Sequence, residues 1–173
     1  ADAPLPTRIG IEADAGAARL LGVESIDIAV KNIGVQVNLP GRQGGQVIDF
    51  AGSAFDVVTG PDSQRRMSIS GADGELLRVS ADVHIAISEY VYVDGTAAFE
   101  KRSTSVKLAD GSTVPVEVLS IGASKVEAFA GLNGPYRVDS NHDGTIDNTD
   151  TRNAEAIGLS LGDASLALGL FYA

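Results

Sequence analysis

Apolar residues fall on every second position from Leu77 through Val79, Ala81, Val83, Ile85 and Ile87, while Arg78, Ser80, Asp82, His84 and Ser88 share the other face with Ala86. Side chains alternate across a strand, so this period of two over eleven residues predicts a β-strand with one apolar face. The pattern runs on through Glu89-Tyr90-Val91-Tyr92-Val93, meets Asp94-Gly95, and resumes in Thr96-Ala97-Ala98-Phe99-Glu100. An Asp-Gly pair between alternating segments predicts a tight turn. A second hairpin is predicted from Ser105 to Leu119, turning at Ala109-Asp110-Gly111-Ser112; Pro115 cannot donate to a ladder and places its strand at an edge or beside a bulge. Nearer the N-terminus Ile26, Ile28 and Val30 alternate, then Ile33, Val35, Val37 and Leu39 alternate with the phase shifted across Lys31-Asn32. A one-residue shift reverses the buried face, so a bulge or bend is predicted there. Helical periodicity is weak; only Ala13 to Leu21 and the segment after Asp150 leave room for a short helix.

Three segments share a character of glycine, alternation, then glycine: Leu21 to Gly34, Ile121 to Gly131, and Ile157 to Leu170. Their spacing is irregular, which makes them similar strands and not a fixed repeat. The last of them runs into Leu168-Gly169-Leu170-Phe171-Tyr172-Ala173 with no polar cap, and an open sheet edge of that kind invites another chain or another copy. The resulting expectation is an all-β fold, elongated and either solenoid-like or a twisted sandwich, over a single module at 8–173, with residues 1–7, opening Ala1-Asp2-Ala3-Pro4-Leu5-Pro6, as a linker or boundary.

Composition narrows the partners. The chain has 173 residues, enough for one domain with its own core. With 23 acidic against 13 basic residues the net charge is −10, which argues against a nucleic-acid partner. The Arg65-Arg66 pair reads as a solvated turn. There is no cysteine, so no disulfide and no thiolate chemistry. No long apolar run and no basic leader preceding an apolar one occurs, so neither membrane insertion nor a signal peptide is predicted.

The stretch Asp139-Ser140-Asn141-His142-Asp143-Gly144-Thr145-Ile146-Asp147-Asn148-Thr149-Asp150 carries the most specific chemistry. Asp139, Asn141 and Asp143 stand at loop positions 1, 3 and 5, Gly144 at the sharp turn, Thr145 where a backbone carbonyl serves, Asp147 at position 9 and Asp150 at the close. A calcium ion takes six to eight oxygens, and this spacing lets one short loop supply them. Ile146 at position 8 is expected to anchor the loop to the core. The predicted cofactor is therefore Ca2+, bound by Asp139, Asn141, Asp143, Thr145, Asp147 and Asp150. A lone loop closed by Asp suggests a weak site, on the order of 0.1–1 mM.

The loop resembles those of dockerins and of extracellular EF-hand-like repeats, although a dockerin carries two loops, each with a helix. Beyond the loop, Asp73 to Val79, Ala98 to Lys101, Leu119 to Ala123, Gly131 to Tyr136 and Asn153 to Leu159 resemble tandem modules of giant secreted bacterial proteins of the RTX-like and adhesin type. The glycine-rich nonapeptide of RTX repeats is absent. This resemblance implies export to the cell surface, folding driven by extracellular calcium, and a structural or adhesive role in a long fibre whose neighbouring copies meet end to end.

Catalysis finds little support. His84 stands on the polar face of a strand and His142 at a non-ligating loop position, no serine lies in G-x-S-x-G, and Gly41-Arg42-Gln43-Gly44-Gly45 lacks the Lys-Ser/Thr ending of a phosphate loop. No enzymatic activity is expected. The rival reading is a calcium-dependent carbohydrate-binding β-sandwich in which Tyr90, Tyr92 and Tyr136 offer surface glycans a platform. Tyr90 and Tyr92 would share one strand face, but aromatics make up only 5% of the chain and tryptophan is absent.

Overall fold

The computed structural model describes residues 7–42 and 44–173. Six strands form one open antiparallel sheet: β1 (Ile9–Arg19), β2 (Ile26–Leu39), β5 (Leu76–Ile87), β6 (Val91–Lys107), β7 (Thr113–Leu132) and β10 (Ile157–Tyr172), in the order β1-β2-β5-β6-β7-β10. The fold is all-β, and among the described residues neither β1 nor β10 has a second neighbour. Two small hairpins stand apart, β3 (Phe55–Gly60) with β4 (Ser63–Met67) and β8 (Arg137–Val138) with β9 (Thr151–Arg152). Among the described residues a single 3-10 turn occupies Gly71–Asp73, and no helix is long and apolar enough to cross a membrane. The linker expected over 1–7 falls almost wholly outside the described residues.

The predicted strand from Leu77 is β5, and the hairpin from Ser105 to Leu119 joins β6 to β7. Its turn is held by Asp110, whose Oδ1 accepts from both the amide and the hydroxyl of Ser112. Pro115 pairs with Ser105 of β6 alone, because β10 ends opposite Glu117, so the proline sits at a local edge. The phase shift near Lys31 is a bulge: the register against β5 slips between Lys31 and Gly34, and Asn32 takes φ 50°. The Gly45 amide donates to the Arg42 carbonyl at 2.9 Å.

Four local expectations are overturned. Arg65-Arg66, read as a solvated turn, lies within strand β4, paired to Val57 and Asp56. Asp94-Gly95 is not a turn; β6 passes straight through it with a register slip against β7, and the chain reverses earlier, at Ser88 to Tyr90. A side chain at Gly95 would stand 3.1 Å from the Cα of Val126, so this glycine admits a close neighbouring strand. Ala13 to Arg19 is strand and not helix, because pairing with β2 along Ala13–Val35 through Arg19–Ala29 outweighs the helical preference of alanine. No helix follows Asp150, where the chain passes through β9 into β10.

Residues paired across an antiparallel sheet project to the same face, so the registers sort every strand into two sides. On one side the segment between β2 and β5 folds over the sheet. Phe50, Met67 and Ile69 bury themselves against Leu76, and Asn38, fully buried, donates to the Ile48 carbonyl at 2.8 Å. The β3–β4 hairpin is tied to β1 by Arg65 on Asp14 and by Ser68, whose amide and hydroxyl both donate to Glu12. Each sheet residue that is buried, namely Leu76, Asn38, Val116, Val118 and Phe129, lies on this covered side. The other side is open. One unbroken row crosses all six strands there as Ala13, Val35, Val79, Phe99, Ile121 and Leu168, and the next as Ile11, Val37, Leu77, Lys101, Leu119 and Leu170.

Candidate functional site

The 139–150 loop is carried on the covered side by the β8–β9 hairpin, which leaves the sheet after β7 and returns to it at β10. Its base is built by side chains on carbonyls: Arg137 donates to the Asn148 and Asp150 carbonyls, and Asn153 donates to those of Asn133 and Pro135. Gly134 passes so near the rings of Phe129 and Tyr92 that a Cβ there would meet both at 2.6 Å. Tyr136 lies between the guanidinium groups of Arg137 and Arg152, each 5.9 Å from its ring centre. Ile146 is half-buried in a recess with Tyr92, Phe129 and Tyr136, and on the far side Lys31 donates to the Gly144 carbonyl at 3.2 Å.

Within the loop each short polar side chain turns back on the backbone. Asn141 accepts from the Asp143 amide, Asp143 from Thr145, and Asp147 from Thr149, all between 2.8 and 3.0 Å. The hydroxyl and amide of Thr149 hold the Asp147 carboxyl below its ordinary range. Asp150 is buried and closes the loop, its Oδ1 accepting from Ser140 and its Oδ2 from Asp147. Asp139 accepts from the Gly144 amide through Oδ2 at 3.0 Å, while its Oδ1 is buried with no hydrogen-bond partner. Buried carboxylate oxygens are ordinarily satisfied, so this unpaired oxygen has the chemistry of a cation ligand. Among the described residues no group of three or more His, Cys, Asp or Glu side chains stands together as a metal cage. Asp143 and Asp147 are turned to Thr145 and Thr149, and Asn141 reaches Asp143 and Thr149. Thr145 donates its backbone amide to Asp143.

Beside the loop lies a polar cleft of about 390 Å³ that the sequence did not announce. His84 and Asp94 face each other across β5 and β6 with Nδ1 and Oδ1 at 2.6 Å, and this bond, with the carboxylate's charge, raises the imidazole above its ordinary value. Asp82 accepts from Asn32 and Thr96, which lowers its carboxyl. Asp139 lines the same cleft, so loop and sheet share one polar wall. The signal that could have found the pair is strand register, which brings His84 opposite Asp94 only once β6 is continuous. Tyr90 and Tyr92 do not share a strand face: Tyr90 lies in the turn, and Tyr92 is half-buried against Phe129 of the neighbouring strand with ring centres 6.4 Å apart.

No protein-family model, curated protein or solved structure matches the chain.

Proposed function

We propose that the chain is a calcium-stabilised structural or adhesive module of an extracellular bacterial surface protein or fibre, with no catalytic role, whose neighbours continue its sheet through the open edges of β1 and β10. The unpartnered, buried Oδ1 of Asp139 carries the calcium reading. A cation there would draw Asn141, Asp143 and Asp147 inward from their present turns, while Asp150, already buried, holds the loop closed. Ordering a loop around an ion makes binding free energy into folding free energy.

Thermal unfolding in excess calcium and in excess chelator tests the reading. A hundredfold excess over Kd adds about 2.7 kcal/mol, which for a chain of this size raises Tm by about 5–10 °C. Asp139→Ala or Asp143→Ala is expected to abolish that rise while barely changing Tm in chelator. Equal losses in both conditions would make the loop a purely structural turn.

A further inference from the structure

Among the described residues the open side of the sheet has no second layer. None of its residues is buried, and the two rows that cross all six strands are apolar but for Lys101, with Leu159 77% exposed and Leu168 44%. The accessible surface is 11576 Å², whereas a folded chain of 17.8 kDa ordinarily shows about 8,000 Å². An uncovered side of this kind accounts for an excess in that direction. Antiparallel sheets tolerate one wet face when that face is polar; here the alternation places the polar residues on the side that is already covered.

We infer that a second copy of this chain covers the open side, the two sheets packing face to face as a sandwich. Charge favours a copy over a charged partner. Across the two rows nearest β10's end the charged side chains are Lys101 and Glu117, which neutralise each other at 3.2 Å, and Lys107 stands on the same side only beyond the end of β10. The net charge of −10 is thus carried elsewhere, and two such faces meet without opposing like charges. Size favours it as well. Six strands at about 4.8 Å and some ten residues at about 3.3 Å give a face of roughly 1,000 Å², so two faces remove about 2,000 Å², where obligate homodimer interfaces begin. A sheet packs best on another sheet of its own extent at about 10 Å, and an identical sheet has that extent by construction. This contact is separate from the edge contacts of the proposed function and does not depend on calcium.

Sedimentation of the full chain in chelator, combined with labelling of single cysteines in a protein that has none, tests it. The wild type is expected to sediment with the mass of two chains at micromolar concentration. Ile121→Cys, 39% exposed on the open side of one chain, is expected to resist a bulky maleimide in that state and to react on dilution. Ser124→Cys, exposed on the covered side, is expected to react at every concentration. Val79→Lys, in the middle of a complete row, is expected to leave a folded single chain. A wild type that sediments as one chain overturns the inference, and so does a larger assembly in which Ile121→Cys still labels freely, since that would be edge joining alone. Should Val79→Lys fail to fold, the labelling of Ile121→Cys decides.

Discussion

His84 and Asp94 illustrate how a residue's role depends on a partner ten positions away. Their 2.6 Å contact raises the histidine above its ordinary value near 6.5, with Asp27 adding to the effect and Arg19 opposing it. A raised folded value means that the folded chain binds the proton more tightly than the unfolded one. The stability contributed is fully present below about pH 6.5 and is lost as the pH climbs through the elevated value. Tm is therefore expected to fall between weakly acidic and weakly alkaline buffer by more in the wild type than in His84→Gln. Parallel pH profiles for the two would remove the pair from the stability of the fold. The sequence placed His84 on a polar strand face but could not supply Asp94, because Asp94-Gly95 has the local chemistry of a turn. The proposed calcium ligands rest instead on spacing within twelve residues, which sequence displays directly, whereas the unpartnered Oδ1 of Asp139 depends on the folded surroundings.

At the scale of the element, registers explain which sequence patterns held. Alternation in β2 and β5, the bulge at Asn32 and the β6–β7 hairpin could be read directly, since each is a local consequence of which face is apolar. The extra turn at Asp94-Gly95 and the helix at Ala13 failed because long-range pairing outweighed local preference along a 17-residue β6 and an 11-residue β1. The glycine-bounded likeness of the β7 and β10 segments has a packing cause. Gly131 and Gly158 are paired opposites, and a Cβ on Gly158 would lie 2.2 Å from the Ala130 carbonyl oxygen and 2.7 Å from the Gly131 Cα. These are backbone atoms, which cannot swing aside as a side chain can. Gly158→Ala is expected to cost about 1–3 kcal/mol by overpacking and to raise amide exchange first at the start of β10. Gly16→Ala, with open space around it, serves as the comparison and should be nearly silent. If both substitutions cost the same, glycine is present there for some reason other than close strand approach.

Across the whole molecule, the decisive property is the difference between the two sides of one sheet. Loops from 40 to 75 and from 133 to 156 crowd the side that bears Asp82, His84 and Asp94, and the buried cluster forms beneath the first of them. The side bearing Val35, Val79, Phe99 and Ile121 receives no loop among the described residues. Sequence alternation announces that an apolar face exists but is silent on what covers it, because the same pattern serves a sheet under its own loops and a sheet under a neighbour. If the second layer is another copy, much of the apolar burial is gained only on association; a single chain keeps the small core beneath the 40–75 segment and is less stable, and the wild type unfolds and dissociates in one coupled equilibrium. Its midpoint must then depend on protein concentration. For two chains of 173 residues unfolding together, the unfolding entropy is large enough that each tenfold increase in concentration is expected to raise Tm by about 2 °C. The slope should vanish in Val79→Lys and persist in a variant altered only at the outer edge of β10. A wild-type Tm independent of concentration would mean that the sheet is stable with its apolar side bare, and would place the source of its stability in the small core beneath the 40–75 segment.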